Sequence, residues 1–124
     1  MPEKGLMISD SELQAYSRRL EIIKLTAAQI QKDFDMAGYE IEFSGNEEGA
    51  YHELFEQIVP VIKKLIDTNY EKLMQLLYRI DVSEAKIKSE SALNEEPFHE
   101  LITRLIIYRE LQKVVTRIYF KEKR

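Results

Sequence analysis

The sequence predicts an all-α fold: a small helical bundle of three long helices plus one short connecting helix. Three observations carry this. Gly and Pro are scarce, 4 and 3 in 124 residues, so little punctuates the chain. Apolar residues recur at spacings of three and four along most of it. Strand-like alternation of apolar and polar residues occurs only over residues 39–43.

The first helix opens at a capping box, Ser9 and Glu12, in which each side chain satisfies a backbone donor of the first turn. Leu13, Tyr16, Leu20, Ile23, Ala27, Ile30, Phe34 and Ala37 follow in the three-four rhythm of a bundle seam. Ile22 and Leu25 lie off that seam and give the helix a second contact face. Gly38 stands where a left-handed residue would end it. In the next segment Tyr39, Ile41 and Phe43 alternate with Glu40 and Glu42, without a second strand to pair with. Residues 38–49 are therefore expected to be an extended linker that packs its apolar side on the bundle.

A second helical stretch covers about 48–80. Pro60 lies inside it, and a proline there removes a backbone donor, so a kink or break is expected near Val59. Asn69 falls on the apolar side, as a buried register-setting residue or a local irregularity. Asp81 and Glu84 have capping-box spacing, so Asp81 is expected to end this stretch and start a short helix over about 82–92. Arg79 suits the last carbonyls of the helix before it. The last helix starts at Pro97 and runs to about Lys121. Its apolar residues cover half of its circumference and continue on another side at Ile102, Ile106 and Phe120. A helix this apolar is the centre of a bundle or part of a subunit interface.

The totals point to one helical domain over residues 1–124, with 1–8 flexible. Apolar residues are 44% and charged residues 32%, a globular composition. The absence of cysteine excludes a disulfide scaffold, a cysteine nucleophile and a thiolate metal site. No apolar run approaches the roughly 20 residues of a membrane span, and the start "MPEKGLMISD" lacks the pattern of a signal peptide. A cytoplasmic protein without a membrane partner is the expectation.

Catalytic signatures are missing. The chain has no phosphate-binding glycine loop, no G-x-S-x-G elbow and no H-E-x-x-H. Of the two histidines, His99 follows Glu96 at the Glu-x-x-His spacing of di-metal bundles, but Pro97 puts Glu96 at the cap, and His52 has Gly49 where a glutamate would be needed. No enzyme, cofactor or metal is expected.

Two basic features stand out. Arg104 sits in the apolar arc of the last helix, where a buried arginine must be paired, so an intramolecular ion pair is expected there. Arg109, Lys113, Arg117 and Lys121 recur once per turn and form a ridge. Charge is divided along the chain: residues 1–60 hold 12 acids and 5 bases, residues 61–124 hold 10 acids and 13 bases. The eight acids from Asp33 to Glu56 have no Lys or Arg among them, so the ridge is expected to answer them, within a subunit or between two. These features predict a small interaction or scaffold protein that self-associates and that also has an unidentified protein partner. The alternative is a nucleic-acid accessory protein that uses the ridge on phosphates.

Overall fold

The computed structural model describes residues 10–122, and the side chains of all of these except Asp10, Leu13, Tyr16 and Ser17. Five helices follow one another: α1 (Asp10–Met36), α2 (Ala50–Thr68), α3 (Tyr70–Ile80), α4 (Glu84–Leu93) and α5 (Phe98–Glu122). No strand occurs among the described residues. The segment 1–8 and Ser9 of the expected capping box lie outside the described residues, as do the seam side chains of Leu13 and Tyr16.

The all-helical class holds, but the count is five helices and not three long ones plus one. The difference arises at Asn69. Its side chain accepts from the Lys72 N–H at 3.1 Å and caps α3, while its own N–H closes α2 on the Leu65 carbonyl at 2.9 Å. Asn69 is thus the irregularity and not a buried seam residue: it is exposed. The break expected at Pro60 does not occur, and α2 runs through it. Pro60 and Glu56, whose carbonyl loses its partner to the proline, both lie on the exposed side. Water can satisfy that carbonyl there, and the ring lies at the surface.

The end of α1 follows from Gly38, which has φ +90°. The Tyr39 N–H returns to the Phe34 carbonyl at 2.8 Å and the Gly38 N–H to Asp35 at 2.9 Å, a Schellman closure. The same closure ends α3, with Asp81 in the left-handed position at φ 74°. There the Val82 N–H bonds to the Leu77 carbonyl at 2.9 Å. Asp81 therefore closes α3 but does not open α4. Ser83 opens it, accepting from the Lys86 N–H at 3.1 Å. An aspartate already in the left-handed region cannot also adopt the extended conformation of an N-cap.

The linker has no strand partner, and side chains replace one. Gln57 of α2 accepts from the Glu42 N–H at 2.8 Å and donates to the Glu42 carbonyl at 2.7 Å. Glu53 accepts from the Ser44 N–H and hydroxyl, both at 2.7 Å. Gln31 of α1 donates to the Ile41 carbonyl at 3.1 Å. With its backbone satisfied in this way, the segment turns Ile41 into the core, and Tyr39 and Phe43 pack against that core.

Helix α5 touches all four other helices and is the axis of the fold. Its first half carries most of its buried residues, Leu101, Ile102, Thr103, Leu105, Ile106 and Ile107. Helices α1 and α5 run antiparallel, since Arg18 pairs with Glu122 near one end and Asp33 approaches Lys113 farther in. No described side chain of α1 before Thr26 is buried, and none of α5 beyond Val114. The outer parts of these two helices thus project from the core as a two-helix arm. No helix among the described residues is long and apolar enough to cross a membrane.

Candidate interaction surface

Arg104 is where α4 is fastened. α4 has no buried residue, so apolar packing alone holds it weakly. The Arg104 guanidinium donates to Glu96 through Nη2 at 2.6 Å and Nε at 3.1 Å, and to Glu90 of α4 at 3.1 Å. Its side chain is 34% exposed, so its stem lies on the core while the head reaches the rim. The Glu96 hydrogen bond, and then Glu90, raise its pKa above the usual arginine value against the opposing effect of burial. Glu96 is thereby committed to Arg104 and not to His99. Among the described residues, no group of three or more His, Asp or Glu is placed to hold a metal ion.

The ridge residues have different surroundings. Arg109 grips the α3–α4 joint, with Nη2 at 2.7 Å from Asp81 Oδ2 and Nε donating to the Asp81 carbonyl at 3.0 Å. Lys113 turns inward: its Nζ lies 2.6 Å from Glu110 Oε1 and 3.8 Å from Asp33 Oδ2. Arg117 and Lys121 are exposed. Of the eight acids from Asp33 to Glu56, the one in ion-pair reach of a ridge residue among the described residues is Asp33. Glu53 serves the linker instead, and Glu56 lies 3.9 Å from His52.

Behind Lys113 is a feature that sequence reasoning missed. Glu110 is 0% exposed, and Asp33 beside it is also buried. Neither Glu110 oxygen has a hydrogen-bond partner among the described residues, although Lys113 Nζ lies 2.6 Å from Oε1. Burial pushes the Glu110 carboxyl up to about 8, and its approach to Asp33 adds to this, while Lys113 pulls the other way. Glu110 therefore holds its proton at neutral pH. Gln29 supports the cluster by donating to Asp33 at 3.2 Å. A signal was present in the spacing. Thr103, Ile107, Glu110 and Val114 follow at four, three and four, and all are buried. Thr26, Ile30 and Asp33 do the same on α1. The two hydroxyls satisfy themselves on their own helices, Thr26 on the Ile22 carbonyl and Thr103 on that of His99.

Two surfaces remain open. The α1–α5 arm exposes Val115 at 43%, Tyr119 at 54% and Phe120 at 64%, with Leu25 at 40% on α1. Between α3 and α4 lies a pocket of about 520 Å³ walled by Tyr70, Leu73, Met74, Leu77, Ile87 and Phe98. It exists because α4 leans on α5 and leaves part of the apolar face of α3 uncovered. No protein-family model, no curated protein and no solved structure matches the chain.

Proposed function

We propose that the protein is a small cytoplasmic interaction or scaffold module that self-associates through the α1–α5 arm. The observation that supports this is the exposure of Val115, Tyr119 and Phe120 on the part of α5 where α1 is its neighbour and no core lies behind. A pair of helices can bury only one side of each. Two such arms packed about a twofold axis make a four-helix arrangement in which both inner sides are covered. Each apolar side chain removed from water then contributes about 25 cal/mol per Å².

Light scattering at micromolar concentration tests the reading. A dimer or higher oligomer is expected, and Phe120→Glu with Val115→Glu should convert it to a folded monomer. A clean mass of about 14.7 kDa for the parent protein removes the proposal. The nucleic-acid reading rests on the exposed end of the ridge, Arg117 and Lys121. Retention of the parent on a nucleic-acid column that falls steeply with salt would favour it.

A further inference from the structure

Helix α4 is held away from α3, and the space between them is a built pocket. Both helices pack on α5, but no Cα of α3 lies within 8 Å of one of α4. Two arginines of α5 set that separation. Arg109 ties the joint before α4 through Asp81 at 2.7 Å, and Arg104 ties its last turn through Glu90 at 3.1 Å. With both ends drawn towards α5, α4 is kept from folding down onto α3, so the gap of about 520 Å³ is preformed. Its floor is Leu73 and Leu77, 1% and 2% exposed, and Tyr70, Met74, Ile87 and Phe98 complete the apolar lining. The charged and hydroxyl groups apart from the tyrosine are Glu84, Lys88 and Ser91, all from α4. These three are exposed, so they stand at the mouth and not at the floor.

We infer that this pocket binds a small, uncharged, mostly apolar molecule. Size, length and charge each select that class. The volume falls within the roughly 300–1,000 Å³ of small-molecule sites. The lining runs from Tyr70 to Leu77 on α3 and from Glu84 to Ser91 on α4, about 10 Å along each helix. A partner helix is itself about 10 Å across and gains its affinity over several turns, so a gap this short does not seat one. At the mouth one acid and one base offset each other, and no charged residue lines the floor. A charged ligand would give up its hydration without a matched partner, whereas an uncharged one gains from every apolar surface removed from water. The two arginine ties fix the walls in advance, so little order is lost on binding. The inference does not depend on self-association.

The test is titration of the full chain with phenylnaphthylamine, an uncharged fluorophore, and in parallel with its sulfonated counterpart, anilinonaphthalene sulfonate. Saturation at one uncharged probe per chain is expected, with backbone NMR shifts centred on α3, α4 and Phe98. The sulfonate should bind no more tightly. Ser91→Trp, which adds a ring at an exposed position of the mouth, should weaken binding at least about tenfold with unchanged circular dichroism. Phe120→Glu with Val115→Glu, on the arm, should leave it unchanged. Four results overturn the proposal. One is fluorescence that rises with the uncharged probe without saturating. Another is binding of the sulfonate about tenfold or more tighter than that of the uncharged probe, which marks a site for anions. The third is loss of binding in the arm variant but not in Ser91→Trp, which puts the probe on the arm. The fourth is dissociation of an oligomer by saturating probe, which makes this face a contact between copies.

Discussion

Glu110 shows how one residue can tie the stability of the protein to pH. Its carboxyl is neutral in the folded chain up to about 8 but ionises near 4.5 once unfolded. Between those values the folded state binds the proton that the unfolded state releases. Stability from this group is therefore fully present below about pH 4.5 and is lost as pH rises through about 8. Glu110→Gln removes the proton but keeps the shape. We expect the variant to match or slightly trail the parent near pH 5 and to exceed it by about 1–3 kcal/mol at pH 9, where the parent must bury a charge. Urea unfolding across that range checks this. A parent and variant with parallel pH profiles would mean that Glu110 does not hold its proton in the fold. The Asp33–Glu110 pair was not picked out from the sequence because each residue, taken alone, looks like any acid on a charged helix. Only the meeting of the two faces makes them internal.

At the scale of the element, the joint "YRIDVSEAKI" is a stop followed by a separate start. Asp81 occupies a left-handed position, closes α3 and receives Arg109 from α5, while Ser83 begins α4. The three roles can be separated. Asp81→Asn keeps the tolerance for left-handed backbone and loses an ion pair that is largely exposed on the aspartate side, so a cost under about 1 kcal/mol is expected. Asp81→Ala loses the pair and also places an unsuited residue at φ 74°, so about 1–2 kcal/mol is expected. Asp81→Gly removes the backbone strain and should fall nearest to Asp81→Asn. Denaturant midpoints order the three. If Asn costs as much as Ala, the Arg109 contact and not the backbone governs the joint. The existence of a joint was legible in the sequence because stop signals are local. The division of labour between Asp81 and Ser83 was not, because both residues are good caps and the choice depends on the angle at which α4 must leave α3 to reach α5.

For the whole molecule, the unequal distribution of buried side chains sets an expectation for dynamics. Local opening is easiest where few apolar contacts must be broken. Amides of α1 before Thr26 and of α5 beyond Val114 should exchange at least about tenfold faster than those of Leu101–Ile107 in a dilute sample. If the arm is where two copies meet, that difference should shrink as protein concentration rises, because association protects only the associated part. Hydrogen exchange at two concentrations measures both effects. Arm protection that is as high as that of the core and independent of concentration would contradict the picture of a projecting pair of helices.

Helical class, the extents of α1 and α5, the left-handed stop at Gly38 and the presence of a packed linker were all determined by sequence alone. Each follows from periodicity or from the backbone preference of a residue and its immediate neighbours. Four features were decided only by tertiary structure. Pro60 is tolerated because it falls on the outer side of α2, and Asn69 breaks the helix in its place. Arg104 acquires Glu90 and Glu96, residues that sit 14 and 8 positions away. Glu110 and Asp33 become internal although both are charged types. The basic ridge divides into residues held by carboxylates of α1 and the α3–α4 joint and residues left to solvent. In each case the outcome depends on which helix faces meet, and the distance between residues in the chain does not contain that information.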